Sequence, residues 1–444
     1  MSKTSREHVA DLLTMIEKED GYAQLVLKRE LKQVQGEDKA FVTEVVYGTL
    51  KHSIKIDYIL NKFSKTPVKK MKPLIRNILR MSVYQMIEMD KVPISAIVNE
   101  AVKITKKRKF VNLSGFVNGI LRSVDRQIND IEYPNINKNT EYALSIKYSM
   151  PEWIIKEWIK VYNIDEIECI CDALNKRAEV CVRFNQLKVT EDEFKNNIEV
   201  EEAQIRPGKF IKEAHYLKGI REIQNSPSFK NGEWTVQDES AMLVAHIVNP
   251  KENDLVLDMC SAPGGKSAHM AEVMKNKGEI ISCDVHPHKL ELISKIKDRM
   301  GTSIIQPTLN DGTIYNEKFN EKFDKVLLDA PCSGLGIMKR KPDIRTRKEA
   351  EDIGEIVNLQ KQIAKQAVKY VKPDGRLVYS TCTISKRENE DMVQYIESLG
   401  MVSENITDRL PETLKKFEKN GSIQILPHIA DTDGFFIASF KKGV

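Results

Sequence analysis

Strand-like segments alternate with helix-like segments over the second half of the chain, and this alternation limits the fold more than any other feature. Helical spacing between the strand-like segments is clearest from Ile356 to Val371. Strands that alternate with helices predict a doubly wound parallel sheet, so we expect a Rossmann-like α/β domain over residues 230–444. The predicted strands are Leu255–Asp258, Glu279–Asp284, Ile304–Ile305, Val326–Asp329, Arg376–Tyr379 and Gly434–Phe440.

The first part of the chain has a different pattern, because residues 1–135 show helical spacing throughout. Val9, Leu12, Leu13 and Ile16, for example, recur at the intervals of one helix face. Residues 140–225 mix a strand-like run at Cys181 with helical segments and turns. A chain of 444 residues has room for roughly three domains. The sequence therefore predicts a multidomain protein with an all-α N-terminal domain, a small α+β module and the α/β domain.

Positive charge is concentrated in the predicted helical domain. Residues 1–150 contain 26 Lys and Arg against 17 Asp and Glu, whereas the rest of the chain contains 43 against 47. Residues 51–80 alone contain nine basic side chains and one acid, Asp57. Such a cluster suits a phosphate backbone, although a solvated helix face would look the same.

Several classes of protein do not fit this sequence. The N-terminus does not resemble a secretory signal, and no run of 18 apolar residues predicts a membrane span. Seven cysteines without a framework pattern indicate free thiols, so we expect a cytoplasmic protein. Neither Cys169 with Cys171 nor His269 and His286 has the spacing of a metal site, and no metal is predicted. We expect a monomer with no membrane partner.

Two cysteines follow predicted strands, although fifty residues separate them. Cys332 comes shortly after Val326–Asp329, and Cys382 comes shortly after Arg376–Tyr379. The carboxyl ends of parallel strands line the ligand crevice of such a sheet, so both sulfurs can reach one site. A thiolate is a strong nucleophile. The pattern predicts covalent chemistry at one or both cysteines.

A glycine-containing loop follows the first predicted strand, from Asp258 to Lys266. It lacks the glycine spacing of dinucleotide sites and of the P-loop, which favours a nucleoside-type ligand without phosphate. Asp284 ends the second strand, where an acid can accept hydrogen bonds from ribose hydroxyls. Asp311 follows the third strand and offers a carboxylate to the amine of a purine. A plain connecting turn remains the alternative at both the glycine loop and Asp311.

Together these motifs resemble the Sun/Fmu family of S-adenosylmethionine-dependent RNA cytosine-5 methyltransferases. The resemblance covers almost the whole chain, since residues 1–135 resemble a NusB-type RNA-binding domain. It implies the RsmB subgroup, which methylates cytosine 967 of 16S ribosomal RNA. The matching runs are Asp-x-Cys-Ser-Ala-Pro-Gly-Gly-Lys from 258, Asp-Ala-Pro-Cys-Ser-Gly-Leu-Gly from 329, Pro-Asp-Ile-Arg from 342 and Tyr-Ser-Thr-Cys-Thr from 379.

The resemblance also implies roles for individual residues. Cys382 is expected to attack carbon 6 of the cytosine, and Cys332 to help release the enzyme from the covalent adduct. Asp329 is expected to bind the base. S-adenosylmethionine is the implied cofactor. Its implied contacts are Cys260, Ser261, Ala262, Pro263, Gly264, Gly265, Lys266, Asp284, Asp311 and Asp329.

Two other hypotheses about function remain open, and one more basic cluster follows the Cys332 motif. The chain could be a non-catalytic RNA-binding assembly factor, or a DNA cytosine-5 methyltransferase in which Cys332 attacks. Both cysteines and the basic helical domain favour the RNA enzyme. Arg340, Lys341, Arg345, Arg347 and Lys348 are predicted to hold RNA phosphates beside the site, with a solvated loop as the alternative.

Overall fold

The structure is a computed structural model that describes residues 3–19, 23–34, 36, 38–220 and 222–443. Its Cα positions group into two compact units. The helical unit consists of Met1–Asn175 and Arg340–Glu349, and the sheet unit consists of Lys176–Lys339 and Ala350–Val444. None of the helices formed by the described residues combines the length and apolar composition needed to cross a bilayer.

The helical unit confirms the predicted all-α domain. Its main core lies around α5 (Pro73–Glu88), where Ile75, Ile78, Leu79 and Met81 are fully or almost fully buried. Asn77, Ser82, Val83 and Gln85 are buried as well, so burial extends around almost the whole circumference of α5 and its neighbours surround it. The helices are α1 (Ser5–Glu19), α2 (Ala23–Glu30), α3 (Asp38–Lys51), α4 (Ser53–Phe63), α5 (Pro73–Glu88), α6 (Ile94–Lys107), α7 (Ser114–Gln127), α8 (Thr140–Tyr148), α9 (Glu152–Ile159) and α10 (Ile164–Asn175).

The segment Arg340–Glu349 belongs to the helical unit although it follows the Cys332 motif in sequence. Its one-turn helix Ile344–Arg347 carries Arg345, whose side chain is buried. The Arg345 guanidinium donates hydrogen bonds to the backbone carbonyls of Lys51, Tyr148, Ser149 and Leu174, at 3.0 to 3.3 Å. The prediction that Arg345 holds RNA phosphates is therefore wrong, because its side chain is buried and both of its terminal nitrogens bind these carbonyls.

The sheet unit begins with the strands of the α+β module that the sequence predicts over residues 140–225, whereas the helices between Thr140 and Asn175 belong to the helical unit. Its sheet has the order β2-β3-β1-β4, and each neighbouring pair is antiparallel. Val182, Phe184 and Trp234 face α11 and form a small core with Phe194. Thr190 caps α11 through a reciprocal pair of bonds with Glu193. The elements are β1 (Val180–Phe184), α11 (Glu191–Val200), β2 (Gln204–Pro207), β3 (Ala214–Lys218) and β4 (Trp234–Val236).

The large sheet confirms the predicted α/β fold and adds antiparallel strands to it. Its order is β11-β12-β13-β9-β8-β5-β6-β7, with β10 paired to β13. The strands are β5 (Leu255–Asp258), β6 (Glu279–Asp284), β7 (Ile305–Leu309), β8 (Phe323–Asp329), β9 (Val371–Thr381), β10 (Met401–Ser403), β11 (Glu418–Lys419), β12 (Ser422–Ile425) and β13 (Phe435–Lys442). The associated helices are α12 (Glu239–Val248), α13 (Gly265–Val273), α14 (Pro287–Met300), α15 (Ala350–Tyr370) and α16 (Glu390–Ser398).

The order of the parallel strands defines where a ligand binds. From β5 the chain continues outward to β6 and β7, and then crosses back to β8 and β9 on the other side of β5. Strand order reverses between β5 and β8, and open α/β sheets bind their ligands at the carboxyl ends of the strands beside such a reversal. Asp258 and Asp329 end these two strands.

Candidate active site

Asp258 ends β5 with its side chain fully buried. Ser267 Oγ donates a hydrogen bond of 2.6 Å to Asp258 Oδ2 and lies 2.9 Å from Ser261 Oγ. The other oxygen, Oδ1, has no hydrogen-bond partner among the described residues. Burial raises the pKa of Asp258 to about 6, because the ionised carboxylate loses its hydration. The strand end therefore carries an acid with one unpaired oxygen at the start of the glycine loop.

The glycine loop leaves open space at the start of α13. Gly264 has a φ of +107°, a backbone conformation that residues other than glycine rarely adopt, and it lies against Ile293 of α14. At Gly265, by contrast, none of the described atoms lies within 4 Å of the place where a Cβ would stand. The backbone at this helix start can therefore approach a ligand closely.

Two further carboxylates lie at the ends of the next strands. Asp284 ends β6 and accepts a hydrogen bond of 3.0 Å from the His286 amide. Asp311 follows β7, and hydrogen bonds from the hydroxyl and amide of Thr313 lower its pKa. The Asn310 amide donates to the Asp284 carbonyl at 3.2 Å, which joins the two strand ends. The structure thus places Asp284 and Asp311 at one edge of the sheet, as their positions in the sequence indicated.

Asp329 ends β8 and is held from two sides. Lys266 Nζ donates to Asp329 Oδ2 at 2.6 Å, and Ser380 Oγ of β9 donates to Asp329 Oδ1 at 2.8 Å. Burial disfavours the Lys266 ammonium, but the Asp329 carboxylate outweighs that cost and the pKa of Lys266 is raised. The ammonium also lies 5.3 Å from the centre of the Phe435 ring. The carboxylate is therefore fixed in place and paired with a cation.

The sulfurs of Cys332 and Cys382 lie 3.4 Å apart. Both cysteines are half-buried. The contact with Cys382, burial, and the nearby carboxylates of Glu388 and Asp329 together raise the pKa of Cys332 well above its ordinary value. Cys332 is therefore a protonated thiol at neutral pH, within reach of the second sulfur.

The loops that carry the cysteines touch through two glycines. The Gly336 amide donates to the Cys382 carbonyl at 3.0 Å, and the Gly434 amide donates to the Gly336 carbonyl at 2.9 Å. A Cβ on Gly336 would stand 1.9 Å from the Gly434 carbonyl oxygen. Only glycine permits this approach, so Gly336 connects the Cys332 loop, the Cys382 loop and the start of β13.

The remaining predicted residues lie in the loop after β5. Ser261 donates its amide to the Cys283 carbonyl of β6 at 2.8 Å, and Ala262 and Pro263 complete the turn into Gly264. Burial, followed by the surrounding carboxylates, raises the pKa of Cys260 above its ordinary value, which makes it a poor nucleophile. The structure therefore brings the predicted residues to the carboxyl ends of β5, β6, β7, β8 and β9. Their individual roles stay predictions.

Sequence reasoning missed two buried polar groups. Glu388 is fully buried beside the cysteine loops, although it lies in a Lys-Arg-Glu run that is typical of a protein surface. Glu213 Oε1 lies 2.6 Å from His246 Nε2 and 2.9 Å from His269 Nε2. Burial lowers the pKa of His269 to about 3, so its neutral ring donates to the carboxylate. His269 Nδ1 has no hydrogen-bond partner among the described residues, and no short sequence spacing predicts this second group.

Comparison with known proteins identifies the family. The sequence model of the protein family described as 16S rRNA methyltransferase RsmB/F matches residues 245–441, and the model of the NusB family matches residues 3–126. The ferredoxin-like domain of RsmF/B-like methyltransferases matches residues 150–224. The probable ribosomal RNA small subunit methyltransferase B of Bacillus subtilis (strain 168) is 39% identical over 450 residues, with 100% of each chain covered. The chain belongs to the RsmB/F family of 16S rRNA methyltransferases.

Other relatives of this RsmB/F family member agree with the assignment. The probable ribosomal RNA small subunit methyltransferase B of Synechocystis sp. is 33% identical over 437 residues, covering 97% of this chain and 98% of its own. The protein in the structure titled Crystal Structure of PH0851 is 26% identical in sequence to this chain. The two structures superpose over 100% of both chains with a TM-score of 0.82. The RsmB/F family uses S-adenosylmethionine, and this confirms the predicted cofactor.

Proposed function

We propose that this RsmB/F family member transfers a methyl group from S-adenosylmethionine to carbon 5 of a cytosine in 16S rRNA, at position 967 by family resemblance. The transfer proceeds through a covalent adduct between cysteine and cytosine. The observation that carries the proposal is the 3.4 Å contact between the sulfurs of Cys332 and Cys382, beside the Asp329 carboxylate. One sulfur can form a bond to carbon 6 of the base, and the other can donate a hydrogen bond to that first sulfur.

Cys382 acts as the nucleophile. Carbon 5 of cytosine is a poor nucleophile, so a bond must first form between the Cys382 sulfur and carbon 6. That bond makes carbon 5 electron-rich enough to take up the methyl group. A water molecule then takes the proton from carbon 5, the electrons of that carbon–hydrogen bond restore the double bond between carbons 5 and 6, and the sulfur–carbon 6 bond breaks with its electron pair returning to sulfur. The Lys266 ammonium interacts favourably with a Cys382 thiolate, which supports this role.

Asp329 binds the base during this addition. Its two oxygens each hold one partner, Lys266 and Ser380, so the carboxylate has a fixed orientation. Electron density moves toward nitrogen 3 of the base as sulfur adds to carbon 6. The Lys266 ammonium, held in place by Asp329, stabilises that negative charge without having to reorganise, and the Asp329 carboxylate accepts a hydrogen bond from the amine of the base.

Cys332 assists release of the product. Its raised pKa keeps it protonated, and its sulfur is in contact with the Cys382 sulfur. A neutral thiol there can donate a hydrogen bond to the Cys382 sulfur as that atom leaves carbon 6. This division of labour differs from that of an enzyme in which Cys332 itself attacks.

The residues after β5 fit the cofactor. The open space at Gly265, the unpaired Oδ1 of Asp258 and the carboxylates of Asp284 and Asp311 would hold an adenosine-bearing ligand without pyrophosphate. S-adenosylmethionine supplies an electrophilic methyl group on sulfur when it is bound. The basic balance of residues 1–150 supports a role for the helical unit in RNA binding.

Methyl transfer to 16S rRNA with three cysteine variants tests the proposal. Cys382→Ser should abolish transfer, whereas Cys332→Ser should accumulate a protein–RNA adduct that survives a denaturing gel. Cys169→Ser, at an exposed free cysteine, is the matched control and should leave transfer unchanged. Bisulfite sequencing should locate the product at cytosine 967.

Three results would contradict the proposal. Full turnover by Cys382→Ser would remove the nucleophile. RNA binding without consumption of S-adenosylmethionine would favour a non-catalytic assembly factor. Faster transfer to duplex DNA than to 16S rRNA would favour a DNA methyltransferase.

A further inference from the structure

Glu388 is a fully buried carboxylate in the turn Lys386–Glu388, shortly after β9. Its Oε2 accepts hydrogen bonds from the Ser333 amide at 2.8 Å and from Gln360 Nε2 at 3.1 Å. Its Oε1 accepts from the hydroxyls of Ser333 and Thr383. Both oxygens are therefore used, and both connect to residues distant in the sequence.

The partners of Glu388 flank the two cysteines. Ser333 directly follows Cys332, and Thr383 directly follows Cys382. The hydroxyls of Ser333 and Thr383 also lie 2.8 Å from each other. One carboxylate thus binds the next residue after each sulfur, on two loops that are fifty positions apart in the chain.

Neighbouring side chains extend this connection to both sides of the cysteines. Gln360 Nε2, which donates to Glu388, also donates to the Pro331 carbonyl at 2.9 Å. Asn389 Oδ1 accepts from the Thr381 hydroxyl at 2.7 Å, and Asn389 Nδ2 donates to the Thr383 carbonyl at 3.1 Å. The residues before and after each cysteine are therefore fixed by one buried polar network.

A buried carboxylate is costly unless several donors compensate for its lost hydration. Burial raises the pKa of Glu388, and the hydrogen bonds from Ser333 and Gln360 oppose that rise. A pair of apolar side chains would fill this space at a lower free-energy cost of desolvation. Such side chains would not hold the Cys332 loop or the Cys382 loop in place. The observed arrangement provides four donors from three residues to one carboxylate, and all three residues hold the cysteine loops.

We propose that Glu388 is a positioning residue for methyl transfer, which binds the loop after Cys332 to the loop after Cys382 and so keeps the two sulfurs in contact. Its influence on catalysis rests on the proposed function, but its influence on the sulfurs does not. The charge has a second effect. Together with Cys382 and Asp329, the Glu388 carboxylate acts electrostatically on Cys332 and favours its protonated form.

Sulfur proximity can be measured without RNA or cofactor. Phenylarsine oxide binds two thiols at once, so its affinity reports whether Cys332 and Cys382 remain in contact. Glu388→Gln replaces one acceptor oxygen with an amide that faces donors, and should weaken phenylarsine oxide binding at least tenfold, toward the level of Cys332→Ser. Asp391→Asn is the matched control: its carboxylate is exposed and binds Lys386, and the substitution should leave binding unchanged.

Two readouts separate positioning from general support of the fold. In Glu388→Gln, kcat for methyl transfer should fall at least tenfold while KM for RNA changes less than threefold. Alkylation of Cys332 by iodoacetamide should begin at lower pH than in the parent protein, because the carboxylate that favours the thiol is gone. A folded Glu388→Gln protein with unchanged arsenical affinity and unchanged alkylation profile would overturn the proposal.

Single hydroxyl deletions cover the case in which Glu388→Gln does not fold. Ser333→Ala and Thr383→Val each remove one contact of the carboxylate, and each should weaken arsenical binding about threefold; no change in either would overturn the proposal. If wild-type protein binds phenylarsine oxide in a Glu388-dependent way but transfers no methyl group to cytosine, the positioning role stands and the proposed function fails.

Discussion

Lys266 and Asp329 form an ion pair of 2.6 Å that joins the start of α13 to the end of β8. The pair crosses the point where strand order reverses, between the loop proposed for the cofactor and the carboxylate proposed for the base. Both side chains are largely buried, so their interaction is screened less than that of a surface pair. One contact thus connects the two proposed binding places.

Removing this cation should impair methyl transfer. Lys266→Met leaves the Asp329 carboxylate with Ser380 as its remaining hydrogen-bond donor, and kcat should fall at least tenfold. Asp329→Asn should have a similar effect, and the double variant should be little worse than either single variant, because the two residues act as a pair. The coupling, read from initial rates in a double-mutant cycle, should be about 1–3 kcal/mol. Additive losses would show that the ion pair has no joint role.

Replacing the buried acid of β5 should stabilise the protein above pH 6. The pKa of Asp258 is raised to about 6 in the fold, so between its unfolded value and pH 6 the folded state binds more protons than the unfolded state. The stability that the acid form contributes is therefore present at low pH and is lost as pH rises through 6. Asp258→Asn should raise the free energy of unfolding by about 1–3 kcal/mol at pH 8 and have no effect near pH 3.

Asp324 should change the pH dependence of the unfolding free energy in the opposite direction to Asp258. Asp324, at the start of β8, accepts hydrogen bonds from Lys372 and the Leu255 amide, which outweigh burial and lower its pKa. Its contribution is present at neutral pH and is lost in acid. Asp324→Asn should therefore reduce stability at pH 8. If both substitutions changed urea unfolding in the same direction, the assigned environments would be wrong.

A methyl group at Gly336 should separate the cysteine loops. Gly336→Ala places a Cβ against the Gly434 carbonyl and within 2.8 Å of the Cys382 carbonyl, so backbone must move. We expect a loss of about 1–3 kcal/mol in unfolding free energy and a loss of methyl transfer. Gly354→Ala, inside α15, is the control. Among the described atoms, a Cβ there meets only the end of the Arg387 side chain, at 3.7 Å, and helix propensity should make the substitution neutral or stabilising.

Arg345 should matter for stability rather than for RNA affinity. Arg345→Met leaves four backbone carbonyl groups without this donor, three of them in buried hydrogen bonds, which should cost roughly 3 kcal/mol or more in urea unfolding. Arg126→Met, at an exposed residue of α7, is the same substitution in the same unit and should change stability by less than about 0.5 kcal/mol. Weaker RNA binding by Arg345→Met with unchanged stability would instead restore the phosphate-binding role.

The strand ends could be predicted because each buried strand is short, apolar and followed at once by polar residues. This pattern located Asp258, Asp284 and Asp329 at one edge of the sheet. The third strand was harder to define, since only Ile304–Ile305 was apolar, whereas the structure extends β7 over Ile305–Leu309. A strand at the edge of a sheet tolerates polar residues and Pro307, so its local pattern is weak.

Elements that depend on distant partners could not be predicted. The strands β10, β11 and β12 have two to four residues each, and pairing with one another or with β13 defines them. Arg345 and Glu388 lie in charged runs typical of surfaces. Their burial depends on groups far away in the chain, and a single sequence does not reveal such partners.

The path of the backbone through residues 340–349 affects how the protein can be divided. A cut after Asn175 does not release two self-sufficient pieces, because this segment belongs with the helices that precede the cut. A fragment that starts at Lys176 would expose Ile344 and Arg345 to water, although both are buried in the whole protein. We expect such a fragment to aggregate or to be cleaved by proteases in this segment. Preparing the catalytic part alone therefore requires replacing that segment with a short polar connection.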